Sequence, residues 1–202
     1  MLDATIRRMI DPPLNAAAAR IALAGVTANA LTISGFAAGI CAIIAIGAGS
    51  YLFGFALIVL NRIFDGLDGA VARQTSATDL GAYFDITLDF LFYAGVPFGF
   101  AFADTSRALA AAFLILSFVS TGTTFLAFAV FAAKHGVSTE LRGKKSLYYL
   151  GGLTEGTETF VAFALMCAFP QAFVAIAYAF GGLCFITAGG RIAAAVQRFG
   201  RP

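Results

Sequence analysis

Residues 65–89 read DGLDGAVARQTSATDLGAYFDITLD and place four aspartates near the meeting point of two long apolar segments. Asp65 and Asp68 lie three residues apart. Asp85 and Asp89 lie four residues apart. Both spacings put the two carboxylates of a pair on one face of an α-helix. The stretch therefore predicts a helical hairpin whose carboxylate pairs converge near its short connecting loop.

The chain around this stretch is far more apolar than a soluble domain. Of its 202 residues, 60% are hydrophobic and 12% are charged, and the mean hydropathy is +0.88. Soluble domains carry about 25% charged residues. A globule of this size has no way to bury so much apolar surface. The composition therefore excludes an ordinary soluble domain, a disordered chain and a disulfide scaffold, and it predicts a polytopic membrane protein.

Charge and cysteine usage exclude further classes. The net charge is only +2, so there is no basic footprint for nucleic acid. Cys41, Cys167 and Cys184 lie in separate apolar runs without metal-binding or disulfide-like spacing. We interpret the three cysteines as packing thiols.

Six apolar segments have the length, about 20 residues, that a helix needs to cross the hydrocarbon core. They lie near residues 28–48, 50–72, 80–103, 106–133, 147–169 and 172–195. None alternates as barrel strands do. The predicted fold class is an all-α membrane protein, a six-transmembrane-helix bundle.

The N-terminal segment, residues 1–24, has a different character. One helical face carries Leu2, Ile6, Met9 and Ile10 beside two arginines, which predicts an amphipathic helix lying on the membrane surface. Pro12 and Pro13 are expected to break this segment. A removable signal peptide is the rival interpretation, but no clear cleavage pattern follows. We predict a juxtamembrane segment at 1–24 and a transmembrane domain at 25–202.

The basic residues predict the orientation of the bundle. With six spans, almost all of them fall on or near one side, and only Arg107 lies by the opposite loops while Arg62 lies within a span. The first set is Arg7, Arg8, Arg20, Arg73, Lys134, Arg142, Lys144, Lys145, Arg191, Arg198 and Arg201. Positively charged loops stay in the cytoplasm. Both termini and the aspartates should therefore face the cytoplasm.

Carboxylates inside a membrane are costly and usually functional. Four of them in one pocket would repel one another unless cations were bound. Dense oxygen ligands suit Mg²⁺, Mn²⁺ or Ca²⁺ rather than Zn²⁺. Two divalent ions would neutralise four carboxylates, and paired ions about 3.5–4 Å apart are a recurrent device for displacement at phosphorus. Arg73, one turn beyond, either binds a phosphate or anchors the helix at the membrane surface.

The positions that define a known signature are all present in this stretch. They are Asp65, Asp68, Gly69, Ala72, Arg73, Gly81, Asp85 and Asp89. This pattern resembles that of the CDP-alcohol phosphotransferases, or CDP-alcohol phosphatidyltransferases. The gap before the second glycine is seven residues, where the pattern is often written with eight. The whole chain looks like a bacterial inner-membrane branch of that family.

The resemblance implies a reaction of phospholipid biosynthesis. A CDP-linked donor, often CDP-diacylglycerol, loses CMP as an acceptor hydroxyl attacks its β-phosphorus. The implied cofactors are Mg²⁺ or Mn²⁺, two ions, held by Asp65, Asp68, Asp85 and Asp89. Asp89 would also be the general base.

The resemblance also implies a donor site. The implied contacts to the CDP portion are Asp68, Gly69, Ala72, Arg73 and Gly81. Asn29 and Thr32 match a family position at the start of the first span, although Ala28 replaces its proline. Asn29 and Thr32 either contact the nucleotide or cap the helix. Asn61 either orients Asp65 or hydrogen-bonds between helices.

The acceptor site is the least determined. Candidates near the cytoplasmic face are Lys134, Arg142, Lys144, Lys145, Glu155, Glu158 and Arg191. A phosphorylated acceptor needs cations, which favours glycerol 3-phosphate or inositol phosphate. The basic residues could instead set orientation and attract anionic lipid heads. Glu155 and Glu158 are predicted to share a face of the fifth span, where they recognise the acceptor or pair with a basic residue.

Several alternatives remain open at this point. Within the enzyme class, a soluble CDP-alcohol could give its head group to a lipid hydroxyl. A cation-coupled transporter would also hold intramembrane carboxylates, though nearer the bilayer midplane and in repeated spans. An inactive scaffold on the same fold is a third class. A homodimer is compatible with the resemblance, but no residue indicates its interface.

Overall fold

The computed structural model describes residues 2–135 and 153–200, with side chains from residue 11 onward, and this part of the chain is helical. Its α-helices are α1 (Leu2–Leu23), α2 (Ala28–Gly47), α3 (Tyr51–Gln74), α4 (Asp79–Ala103), α5 (Ala108–Lys134), α6 (Gly156–Ala168) and α7 (Phe173–Phe199). Single 3-10 turns precede α5 and α7. The predicted all-α class is confirmed.

Four of the described helices, α2, α4, α5 and α7, are long and apolar enough to cross a membrane. The third helix has the length but carries several charged residues, and α6 has only 13 residues. Large apolar side chains cover the outside of the bundle, and Leu52, Phe102 and Leu109 are each about three-quarters exposed. Such a surface suits lipid rather than water. Membrane helices are thus confirmed, while the count of six spans stays a prediction.

The first helix runs without interruption through Pro12 and Pro13, so the predicted break there is wrong. Proline removes a backbone donor and normally ends a helix. Here packing against α3 holds the helix together. Gln74 of α3 donates to the backbone oxygen of Asn15 at 2.9 Å, and Ala18 is fully buried. The predicted surface location and the division at residue 24 remain predictions.

Small residues on α2 let α3 and α4 pack closely against it. A methyl carbon on Gly39 would lie 2.7 Å from the ring of Phe92 and 3.2 Å from the amide nitrogen of Asn61. Only glycine allows both neighbours to approach. The three helices therefore form one rigid unit, and this unit positions the acidic stretch.

An aromatic core and a polar cluster occupy the other end of the bundle. The buried rings of Phe100 in α4 and Phe173 in α7 stack at 4.6 Å. Arg107 donates to the Tyr51 hydroxyl at 2.9 Å and pairs with Asp104 at 3.3 Å. The side-chain hydroxyl and the backbone N–H of Ser106 both donate hydrogen bonds to Asp104. These two bonds hold the pKa of Asp104 below its usual value. These contacts stabilise this end of the bundle without involving residues 65–89.

Candidate active site

Three of the predicted aspartates meet where α3 ends and α4 begins. Each of Asp65, Asp68 and Asp85 offers a carboxylate oxygen, and these oxygens lie within 4.8 Å of one another. Oxygens bound to one ion at about 2.0–2.6 Å lie at most about 5 Å apart. The distances and the all-oxygen donor set therefore fit Mg²⁺ or Mn²⁺. We call these three residues the acidic triad.

Asp89, predicted as a fourth metal ligand, lies outside the acidic triad in the described part of the chain. Its Oδ1 accepts a hydrogen bond from a terminal nitrogen of Arg62 at 2.6 Å. The other terminal nitrogen of Arg62 lies 3.6 Å from Asp65. The guanidinium thus supplies at Asp89 the positive charge that we expected from a metal ion. The structure thus places three carboxylates together beside an Arg62–Asp89 pair, and metal binding by all four aspartates stays a prediction.

Arg62 is the residue that the sequence analysis missed, because it was treated only as a basic residue inside a span. Its Nε donates to Asn61 at 2.8 Å, and a terminal nitrogen donates to the Tyr93 hydroxyl at 3.0 Å. The guanidinium also lies over the rings of Phe92 and Tyr93, at 5.0 and 5.3 Å. Its spacing of three residues before Asp65 was an available signal.

Asn61 and Thr32 connect α2 to the acidic residues on α3. Asn61 donates to the backbone oxygen of Gly35 at 2.8 Å, so the predicted interhelical bond is confirmed. The hydroxyl of Thr32 donates to Asp68 at 2.6 Å. The residue that caps α2 is Thr27, which makes the capping alternative for Asn29 and Thr32 wrong.

Gly81 brings the first turns of α2 and α4 together. A methyl carbon at this position would lie 2.8 Å from the side-chain oxygen of Asn29 and 3.1 Å from that of Thr78. Thr78 caps α4 by accepting from the backbone N–H of Gly81 at 3.0 Å. Glycine is therefore needed for this close approach. The remaining donor candidates, Gly69, Ala72 and the exposed Arg73, lie on the last turns of α3.

Two adjoining cavities share two aspartates of α4, Asp85 and Asp89. A narrow cleft is lined by the acidic triad together with Thr32, Asn61, Arg62 and Asp89. A larger cavity of about 250 Å³ begins at Asp85 and Asp89. Its other polar lining residues are Tyr93, Thr121, Thr154, Glu155, Thr159 and Arg191. We call the narrow cleft the acidic cleft and the larger cavity the polar cavity.

Two of the acceptor candidates line the polar cavity. Arg191 is buried, donates to the backbone oxygen of Thr121 at 2.9 Å and lies over the ring of Phe125 at 5.5 Å. Glu155 is also buried. It forms a capping box with Glu158, whose carboxylate accepts from the backbone N–H of Glu155 at 3.1 Å. The capping box keeps Glu155, which directly precedes α6, beside Glu158, and acceptor recognition by these two residues stays a prediction.

The remaining four acceptor candidates are basic. Lys134 lies at the end of α5 and is exposed. Arg142, Lys144 and Lys145 lie outside the described residues. Their predicted role remains a prediction.

The model of the CDP-alcohol phosphatidyltransferase family matches residues 25–190. The chain belongs to the CDP-alcohol phosphatidyltransferase family. As a member of this family it is a phosphotransferase of phospholipid biosynthesis, which confirms the predicted enzyme class.

Relatives of this CDP-alcohol phosphatidyltransferase are found in bacteria and archaea. The inner membrane protein YnjF of Escherichia coli (strain K12) is 47% identical over 193 residues, which are 95% of this chain and 94% of that protein. An archaetidylinositol phosphate synthase of Pyrococcus horikoshii is 31% identical over 103 residues, 50% of this chain and 55% of that protein. An archaetidylinositol phosphate synthase of Methanothermobacter thermautotrophicus is 41% identical over 85 residues, which are 42% of this chain and 40% of that protein.

Solved structures share the fold of this CDP-alcohol phosphatidyltransferase. They include phosphatidylinositol phosphate synthase PgsA1 of Mycobacterium tuberculosis with CDP-DAG bound, with a TM-score of 0.73 at 21% identity, over 91% of this chain and 93% of that chain. PgsA1 in complex with manganese and citrate gives a TM-score of 0.69 at 21% identity, over 89% of this chain and 87% of that chain. This likeness shows the fold alone.

Proposed function

We propose that this enzyme transfers the phosphatidyl group of CDP-diacylglycerol to the hydroxyl of a small polar alcohol and releases CMP. The observation that carries the proposal is that the acidic cleft and the polar cavity share Asp85 and Asp89. A metal-bound donor and a polar acceptor can therefore meet at these two carboxylates. The CDP-DAG bound to PgsA1 supports a lipid-linked donor.

The acidic triad would hold the divalent ion, with Thr32 orienting Asp68 through its hydrogen bond. When bound there, Mg²⁺ or Mn²⁺ would polarise the diphosphate and stabilise the charge that develops on CMP. The manganese complex of PgsA1 supports this chemistry. The predicted second ion would need ligands beyond these three. The CDP portion would contact Asp68, Gly69, Ala72, Arg73 and Gly81, with Asn29 and Thr32 at the start of α2.

Asp89 is the proposed general base. As the acceptor oxygen bonds to the β-phosphorus, Asp89 takes the hydroxyl proton and the bond from phosphorus to the CMP oxygen breaks. The charge-assisted hydrogen bond from Arg62 fixes the orientation of the Asp89 carboxylate. Because Asp89 lines both cavities, it lies where donor and acceptor would come together.

A phosphorylated acceptor such as glycerol 3-phosphate or inositol phosphate is proposed for the polar cavity. The supporting observation is the buried guanidinium of Arg191 in the cavity wall, since a planar guanidinium suits phosphate. The archaeal relatives are archaetidylinositol phosphate synthases, which supports an acceptor of this kind. Lys134 and the basic residues at 142, 144 and 145 are proposed to attract the phosphate of the acceptor.

The proposed membrane arrangement has six spans, with α1 on the membrane surface and with both termini and the active site facing the cytoplasm. Four apolar helices and the location of YnjF in the inner membrane of Escherichia coli support an inner-membrane protein. The basic residues near one side of the bundle support the orientation.

The test is CMP release by the purified protein in detergent with CDP-diacylglycerol and Mg²⁺ or Mn²⁺. Separate reactions contain glycerol 3-phosphate, inositol phosphate, serine or no acceptor. We expect release with a phosphorylated acceptor, and we expect EDTA and Asp89→Asn to abolish it. Asp104→Asn, at the far end of the bundle, is the matched control and should retain activity.

Each outcome bears on the proposal. Release with serine alone would contradict a phosphorylated acceptor. No release with any acceptor would contradict the proposed donor. The assay would then be repeated with a soluble CDP-alcohol and diacylglycerol, and CMP release there would establish transfer in the opposite direction.

A further inference from the structure

Four hydroxyl groups line the polar cavity. They belong to Tyr93, Thr121, Thr154 and Thr159. The three threonine hydroxyls donate to oxygens of the protein, at 3.0, 3.1 and 2.9 Å. Their hydrogens are therefore already used within the fold.

The Tyr93 hydroxyl is bonded in the opposite sense. Its oxygen accepts a hydrogen bond from Arg62 at 3.0 Å, and within residues 11–135 and 153–200 no protein oxygen accepts its hydrogen. A phenol has one hydrogen to donate. Gly156 lies beside it and has no side chain, and even a methyl carbon there would be 3.8 Å from the Tyr93 oxygen, so residue 156 does not cover the hydroxyl. The guanidinium strengthens the phenol as a donor, because hydrogen bonds in a chain polarise one another.

One guanidinium holds both Tyr93 and Asp89. Arg62 uses one terminal nitrogen for Asp89, at 2.6 Å, and the other for Tyr93, at 3.0 Å. The two residues are also four positions apart on α4, so they share a face. The cavity wall therefore presents a proton acceptor, Asp89, next to a hydrogen-bond donor, Tyr93.

This pair has the complementary chemistry of a vicinal diol. The reacting hydroxyl gives its proton to Asp89, while an oxygen on the adjacent carbon accepts a hydrogen bond from Tyr93. An ammonium group on that carbon would have no lone pair to accept the bond. An unsubstituted carbon would leave the Tyr93 hydrogen without a partner in a partly buried site, which costs binding energy.

We propose that Tyr93 is a specificity-determining residue that selects acceptors carrying an oxygen on the carbon next to the reacting hydroxyl. Arg62 is the positioning residue that holds Tyr93 and Asp89 in register. The inference rests on the proposed function, and it narrows the acceptor class from small polar alcohols to vicinal diols and polyols.

The test compares glycerol 3-phosphate with 3-hydroxypropyl phosphate, which lacks only the middle hydroxyl. Inositol phosphate and its analogue lacking the hydroxyl next to the reacting one form a second pair. We expect the wild-type enzyme to prefer the diol by about 3- to 10-fold in kcat/KM, the range of one neutral hydrogen bond. Tyr93→Phe should lose this preference through slower reaction of the diol.

The matched control is Tyr51→Phe. Tyr51 is also bonded to an arginine, at 2.9 Å, but at the far end of the bundle, so this variant should keep the wild-type preference. Arg62→Lys should reduce the preference, since a lysine ammonium does not reproduce the fork that reaches both partners. The rise in Tm on adding glycerol 3-phosphate gives a second readout, and it should be smaller in Tyr93→Phe than in wild type.

The outcomes separate this inference from the proposed function. If the wild-type enzyme releases no CMP with any of these acceptors, the proposed function and this inference are both wrong. If the wild-type enzyme releases CMP and Tyr93→Phe keeps the wild-type preference for the diol, the inference alone is wrong. Preference of the wild type for either deoxy analogue would also overturn it.

Discussion

Replacing Arg62 by glutamine tests whether the guanidinium acts as the counter-ion of the acidic cleft. Its bond to Asp89 is 2.6 Å long, and the two side chains are 18% and 29% exposed. Removing one partner of a buried ion pair costs about 3–5 kcal/mol, and the partial exposure here favours the lower figure. For a chain of this size, about 1 kcal/mol shifts Tm by about 2–4 °C. We therefore expect Arg62→Gln to lower Tm by roughly 6–12 °C in EDTA.

The metal dependence of that loss is the sharper part of the prediction. A divalent ion bound by the acidic triad would act on Asp65 together with the guanidinium of Arg62, and two charges of the same sign at such distances repel by several kcal/mol. Without Arg62, a bound Mn²⁺ restores positive charge to the cleft and no longer meets this repulsion. The loss of Tm should shrink to about half in saturating Mn²⁺, and Mn²⁺ should raise Tm more in Arg62→Gln than in wild type.

The assay is thermal unfolding in detergent with EDTA or with Mn²⁺. Arg107→Gln is the matched control, because Arg107 also binds an aspartate and a tyrosine but lies far from the triad. Its loss of Tm should be the same in both conditions. An equal loss for Arg62→Gln in EDTA and in Mn²⁺ would refute the counter-ion role, and so would no loss in EDTA.

Three further pairs of substitutions test the division of roles in and beside the acidic cleft. Asp89→Asn should lower kcat about 10²- to 10⁴-fold yet keep the rise in Tm that Mn²⁺ causes, whereas Asp65→Asn should lose both the activity and this rise in Tm. Loss of the Mn²⁺ response in Asp89→Asn would make Asp89 a ligand. Thr32→Val should weaken the apparent Mn²⁺ affinity about 10-fold in a titration of CMP release, and Thr32→Ser should not; equal affinities would contradict the supporting role of this hydroxyl. Gly81→Ala places a methyl carbon 2.8 Å from a side-chain oxygen of α2 and should raise KM for CDP-diacylglycerol several-fold, while Gly182→Ala, with no atom within 4 Å, should leave KM unchanged; the same KM in both variants would contradict the close approach at Gly81.

The acidic triad was predictable because its geometry is local. The spacings within α3 and α4 fix which carboxylates share a face, and the short loop between the two helices keeps the end of α3 close to the start of α4. These facts need no knowledge of the rest of the fold. They predict the convergence of Asp65, Asp68 and Asp85, which the structure shows.

The residues that were misjudged depend on contacts between distant segments. Arg62 of α3 reaches Asp89 of α4 because α2 packs against both helices and brings them to one site, an arrangement that spacing within one helix does not show. Pro12 was expected to end a helix that the contact with α3 maintains, a case in which tertiary packing overrides local propensity.

Helix α4 joins recognition and chemistry on one rigid face. Asp85, Asp89 and Tyr93 recur at intervals of four residues, so the proposed metal ligand, the proposed base and the proposed acceptor contact follow one another along the helix. One inserted residue between any two of them would rotate the next by about 100° and separate their roles. The loop before α4 has no such constraint. A gap of seven residues before Gly81 instead of eight is therefore compatible with an intact site, because the change falls outside the helix that sets the register.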